Sequence, residues 1–229
     1  MKTYIIACSV MRTELEEVLN GASDVEPRYL EQALHRTPQL MAGRIQAVID
    51  EVAPSAARII LGYGLCSNGI TGVIARNQGL IVPRCHDCIA LFLGSCDAYN
   101  QLFSESPGTY YLTPGWIAEK KDPIGIVEED YTQRVGAEAA LWVMQEELKH
   151  YTHIALIRTG IGDIGPYRER AQKNAEFFGK EYRELEGNLD FFRKLLIAHT
   201  LEKSEFDKDF VLIPPGTEIR QEMFFDLAC

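Results

Sequence analysis

The sequence predicts an α/β protein. It reads as one domain over residues 1–229, built on a mainly parallel, Rossmann-like sheet of about six strands with helices on both faces, and with a weak subdivision near 105–130. Two observations carry this class. Short apolar runs alternate with stretches of helical periodicity along the whole chain, the pattern of strands joined by crossover helices. Several of those runs end in a glycine- or cysteine-bearing loop that leads into the next helix, and in an open α/β sheet ligands bind beyond the carboxyl ends of the strands.

Thr3 to Cys8 is the first strand. It runs into a helix over Met11 to Leu19, apolar at 11, 15, 18 and 19 and stopped by Asn20-Gly21. Glu14 lies in the first turn, where the helix dipole favours a carboxylate; the alternative is that it faces the same crevice as Cys8. Residues 26–53 read as two helices started by Pro27 and Pro38, the second with an apolar face at 41, 45, 48, 49 and 52. His35, with no partner spacing around it, reads as an ordinary surface or packing residue. Arg58 to Leu61 is the second strand, opening onto Gly62-Tyr-Gly-Leu-Cys-Ser-Asn-Gly69. Glycines here let the backbone approach a ligand closely, and Gly62, Tyr63, Gly64 and Asn68 are placed around Cys66 or against a substrate. The third glycine falls at 69 instead of 67, so the dinucleotide fingerprint is not met.

A helix over Ile70 to Arg76 and a turn at Asn77-Gln-Gly79 lead to the third strand, Leu80 to Pro83, which opens onto Cys85, His86, Asp87 and Cys88. An apolar helix from Ile89 continues past Gly94-Ser-Cys-Asp97, with Cys96 as a buried small hydrophobe. Residues 104–126 are irregular, and their Tyr110, Tyr111 and Trp116 either wall a pocket or cap the core. Asp130 to His150 is a long helix and Tyr151 to Arg158 a strand. The loop Thr159-Gly-Ile-Gly-Asp-Ile-Gly165 puts a further glycine-rich turn on the same sheet edge, with Asp163 as a helix cap or a crevice carboxylate. A helix over Pro166 to Phe178, a strand over Lys180 to Leu185, a helix over Leu189 to Leu196 and a strand over Asp209 to Pro214 complete the order. Cys229, at the end of the sequence, is expected to have no structural role.

Composition narrows the function classes. The formal net charge is -10 and no long Lys/Arg run occurs, the wrong sign for a phosphate-backbone partner, so nucleic-acid binding is not expected. No apolar stretch approaches the roughly 20 residues of a membrane helix, and the apolar run before Cys8 is shorter than a secretory core. The protein is therefore expected in the cytoplasm, where its six cysteines are metal-binding, redox-active or buried thiols in preference to disulfides.

If the strands ending at Cys8, Leu61 and Pro83 are parallel neighbours, three cysteine loops meet on one edge of the sheet. Thiolates are strong ligands for zinc and for iron or iron–sulfur clusters, and Cys85 and Cys88 have the spacing of a local clamp. The ligand set expected is Cys8, Cys66 and Cys88 with Cys85 or His86 as the fourth; Asp87 would orient His86 or accept a hydrogen bond from it. Zinc is the first expectation for the metal, iron or an iron–sulfur cluster the second. Three ligands would leave a coordination position for a small-molecule substrate or cofactor. Two other classes compete: a C-x-x-C dithiol redox enzyme, with the layout strand, C-x-x-C, helix, and a non-catalytic protein that binds a nucleotide or other small-molecule cofactor.

At Gly62-Tyr-Gly-Leu-Cys66, His86-Asp-Cys-Ile89, Gly94-Ser95 and Gly108-Thr-Tyr-Tyr-Leu-Thr-Pro-Gly-Trp116 the chain resembles an uncharacterised family, a domain of unknown function. The family is associated with anaerobic bacteria and methanogenic archaea and is often encoded near corrinoid-dependent methyltransferases. The resemblance extends to Cys8 with Glu14, Phe177-Phe-Gly179 and Pro214-Pro-Gly216. It implies Cys8, Cys66, His86, Asp87 and Cys88 as family features and favours His86 over Cys85 as the fourth ligand. It also implies a place in one-carbon or methyl-group metabolism, with corrinoid methyltransferase components as partners; the corrinoid-ligating D-x-H-x-x-G motif is not present.

Overall fold

A computed structural model describes residues 1–224; Cys229 lies outside the described residues. The described chain forms β1 (Lys2–Cys8), β2 (Val25–Leu30), β3 (Ala56–Gly62), β4 (Leu80–Pro83), β5 (Thr109–Leu112), β6 (His153–Arg158), β7 (Glu181–Glu186) and β8 (Phe210–Ile213), with helices between them. The class is α/β, but the strands divide between two sheets. The chain groups into two compact units, residues 1–98 with 189 onward, and residues 99–188.

The first unit holds a five-stranded sheet in the order β2-β1-β3-β4-β8. The first four strands run parallel and β8 lies antiparallel on β4. Ile5, Ile6, Ala7 and Cys8 of β1 are all fully buried. Since successive side chains point to opposite faces, both faces of the strand are covered. The helix Pro38–Val52 packs on β1 and β2 through the apolar stripe Met41, Ile45, Ile49 and Val52. The helices Arg12–Leu19 and Ile89–Leu93 each pack on Asp190–Ile197, with Phe92 edge-on to Phe192 at 5.3 Å. Ala7 pairs in register with Gly62, Cys8 with Leu30 and Ile60 with Ile81. The carboxyl ends of β2, β1, β3 and β4 therefore finish side by side.

The second unit holds the parallel sheet β5-β6-β7, with Ile154 to Ile157 of its central strand fully buried. The helix Gly165–Phe177 packs on β6 and β7. Met144 and Leu148 of Ala137–Leu148 cluster with Ile126, Tyr110, Tyr131 and Phe178. Buried Asp122 caps the short helix Pro123–Ile126 through Gly125. Its Oδ2 also accepts from Arg170 Nε at 2.8 Å and from Asn174 Nδ2 at 2.7 Å, while Asn174 Oδ1 accepts from Ile124 N at 2.9 Å.

Several expected elements differ. Residues 25–30 are the edge strand β2, not a helix; Pro27 is tolerated because an edge strand can lack one amide donor. Residues 70–76 form no helix: a turn through 72 leads into extended chain, pinned where Gln46 accepts from Ile74 N at 2.7 Å and where Ile74 bridges Glu218. The helix from Ile89 stops at Gly94, whose φ is +85°, and a new one begins at Cys96. Residues 104–126 are not irregular: they carry β5 and the helices Pro114–Ala118 and Pro123–Ile126. The helix expected over 130–150 is broken at Gly136, with φ +81°. Among the described residues no helix is long and apolar enough to cross a membrane.

Candidate metal centre

Each of the four parallel strands of the first unit delivers one histidine or cysteine side chain, of a type able to ligate a metal, at or just beyond its carboxyl end. β1 ends on Cys8, a 3-10 helix after β2 carries His35, the loop after β3 carries Cys66, and the turn after β4 carries Cys88. The ligand atoms of His35, Cys66 and Cys88 all lie within 4.8 Å of one another. Cys66 and Cys88 are 8% and 2% exposed and Cys8 is fully buried.

Backbone pairing sets this geometry. Leu65 N donates to Cys85 O at 2.9 Å and Cys66 N to His86 O at 3.0 Å, so the loops after β3 and β4 are zipped together. They meet at Gly64, where a Cβ would sit 2.9 Å from both the carbonyl oxygen and the Sγ of Cys85. Gly64→Ala should therefore destabilise the protein by roughly 1–3 kcal/mol, the usual cost of overpacking, read as a lower urea midpoint at unchanged slope. Cys66, Ser67 and Asn68 follow with φ of +48°, +55° and +66°. A left-handed residue other than glycine costs on the order of 1–2 kcal/mol, and three in a row are a store of strain at the point where Cys66 is presented, a feature that clusters at functional sites.

His35 is held by its Nδ1, 3.1 Å from the carbonyl oxygen of Gln32. Such a bond fixes the ring and leaves Nε2 as the free ligand nitrogen; that atom is buried with no hydrogen-bond partner. Tyr63 stacks on the imidazole, ring centroids 6.2 Å apart and planes inclined by 26°. Tyr63 is 1% exposed and its hydroxyl also has no partner.

The electrostatics tie these groups together. Burial would lower the His35 pKa, but the sulfurs of Cys66 and Cys8 outweigh it and hold it up at about 11. The Cys66 thiol is pulled down to about 6, first by a hydrogen bond from Cys88 and against the push of burial, with His35 adding to the pull. Cys88, on the donating side of that bond and buried, is pushed well up. Cys85 is pushed up by its hydrogen bond with Cys96 and by burial. The two cysteines of the C-x-x-C spacing thus engage different partners, Cys88 with Cys66 and Cys85 with Cys96.

The remaining sequence-selected residues fall in three places. His86 is exposed and is not among the three clustered ligands. Asp87 is partly buried, its carboxyl pushed up by burial, and its Oδ1 accepts from Ile89 N at 2.9 Å, opening the helix that follows Cys88. Glu14 stands in the first turn of the helix Arg12–Leu19, as expected, and is 1% exposed. Gly62 stands where a Cβ would be 2.8 Å from that of Ala7, which keeps β1 and β3 close at the site, and Asn68 is exposed in the left-handed turn. Tyr111, Trp116 and Asp163 belong to the second unit. There Tyr111 is half-buried against Tyr99, Trp116 is buried in its helix, and exposed Asp163 caps Gly165 N at 2.9 Å. His35, expected as a surface or packing residue because no ligand spacing surrounds it, is brought into the cluster by the 3-10 helix that follows β2.

Fold and site together define an α/β protein whose parallel sheet displays a histidine–thiol cluster, one that could hold a metal ion, at its carboxyl edge. The chain belongs to the family described as Protein of unknown function (DUF1638), whose model matches residues 29–196; that span includes His35, Cys66 and Cys88. None of the curated proteins and none of the solved structures matches it.

Proposed function

We propose that the protein binds one metal ion through His35 Nε2 and the thiolates of Cys66 and Cys88, and uses the centre to bind or activate a small substrate. The observation that carries this reading is the mutual approach of the three donor atoms within 4.8 Å. On a tetrahedral zinc with bonds near 2.3 Å to sulfur and 2.0–2.1 Å to nitrogen, donors stand about 3.5–3.8 Å apart, so a small contraction closes the set. That spacing favours a single ion over an iron–sulfur cluster, whose sulfurs are spread over several irons. Softness and the mixed sulfur–nitrogen set favour zinc, with iron(II) the next choice. Three protein ligands leave the fourth position that catalytic zinc sites keep open; Cys8, buried at the end of β1 and acting on His35, is the further thiol nearby. The family resemblance suggests methyl-group metabolism beside corrinoid methyltransferase components as the setting.

Metal analysis of protein purified anaerobically tests the reading. About one equivalent of zinc or iron per chain, lost in His35→Ala, is the expected result. Metal-free protein carrying a titratable Cys85–Cys88 disulfide would overturn it in favour of dithiol chemistry.

A further inference from the structure

Among the described residues, the hydroxyl of Tyr63, the side chain stacked on His35, is a buried polar group that the protein does not satisfy. The side chain is 1% exposed and its oxygen has no hydrogen-bond partner. An unsatisfied buried hydroxyl is costly, and phenylalanine would give the same stacking on His35 without that cost. Buried polar atoms of native proteins are nearly all paired once their ligands and waters are in place. The ring lies on the imidazole of His35, and Tyr63 stands in the loop after β3 that also presents Cys66. A phenol carries its proton at neutral pH, so a hydroxyl left without a protein partner here is able to donate.

We propose that Tyr63 binds a small thiol carried as its thiolate at the fourth position of the centre, the hydroxyl donating a hydrogen bond to the thiolate sulfur. This rests on the metal-centre reading above. A metal already bound by two thiolates and an imidazole is a soft acceptor, for which sulfur is a better added ligand than carboxylate oxygen. On binding, the thiol gives its proton to solvent water and its sulfur lone pair to the metal, in exchange for a water molecule. A hydrogen bond to a charged acceptor is stronger than one between neutral groups, which suits a donor aimed at a thiolate.

The test uses the full chain loaded with cobalt(II) in place of the native metal, titrated anaerobically with 2-mercaptoethanol and, separately, with acetate. The thiol should raise the sulfur-to-cobalt charge-transfer absorption saturably, and acetate should not. Tyr63→Phe should keep its cobalt, which reports an intact fold and centre, while binding the thiol about tenfold more weakly. Native thiol affinity in Tyr63→Phe would overturn the proposal, as would acetate binding as tightly as the thiol. A cobalt-loaded native protein that takes up no thiol would also overturn it, and would give the fourth position to Cys8. Native protein that retains no cobalt would instead remove the metal centre itself.

Discussion

Cys66→Ser protein should bind zinc at least about 100-fold more weakly than the native chain. Removing partners that merely orient a metal ligand already costs 10–100-fold, and serine replaces a soft sulfur donor whose thiol sits at about 6 with a hydroxyl that holds its proton at neutral pH. The same experiment has a pH signature. Near neutrality the metal-free site holds Cys66 as thiolate, but His35, raised to about 11, and Cys88, raised well above its ordinary value, carry protons. A metal must displace both, so native affinity should rise with pH from neutrality upward and uptake should release about two protons per ion. Competition titration with a chromophoric chelator at several pH values measures both effects. Affinity in Cys66→Ser equal to native, or a pH-independent native affinity, would contradict the assignment.

Asp122→Ala should lower the stability of the second unit by about 3 kcal/mol. The residue is fully buried, and its carboxylate anchors Arg170, Asn174 and Gly125 N together. Truncation leaves a partly buried guanidinium and two buried N–H donors without their acceptor, the situation that makes broken buried pairs costly. Arg170 also reaches Glu128 at 3.5 Å and keeps 24% of its side chain exposed, so the loss belongs at the lower end of the range for such pairs. Urea unfolding followed by Trp116 and Trp142 fluorescence, both in that unit, gives the number. A loss under about 1 kcal/mol would mean that the network is replaced by water.

The six strands expected from sequence are all present, because β1, β3, β4, β6 and β8 are short apolar runs whose residues are mostly buried, and a buried strand needs little else to declare itself. β7 is present too, despite its charged residues. β2 escaped notice: Val25-Glu-Pro-Arg-Tyr-Leu30 is a half-buried edge strand, with Glu26 and Arg28 paired to one another, and neither its charges nor Pro27 resemble a core segment. The division into two sheets was also out of reach, since pairing between strands distant in sequence leaves no local mark. The cluster was legible in so far as Cys66 and Cys88 follow apolar strands directly. His35 was not. Its partners come from loops far along the chain, and the 3-10 turn holding it depends on Gln32 O, not on any spacing motif.

Because residues 99–188 form their own unit between the two segments of the other, the first unit is an interrupted domain. During synthesis β4 emerges well before β8, its antiparallel neighbour, and the helix Asp190–Ile197 that packs on Arg12–Leu19 and Ile89–Leu93 is still unmade. Until then the nascent chain presents a bare sheet margin and uncovered apolar helix surface, conditions under which intermediates aggregate. The inserted unit, contiguous and closed on itself, can fold first. Completion of the thiol-bearing unit then waits on the segment from residue 189 onward, so truncation after residue 188 should release a chain that is captured by chaperones instead of a smaller working protein.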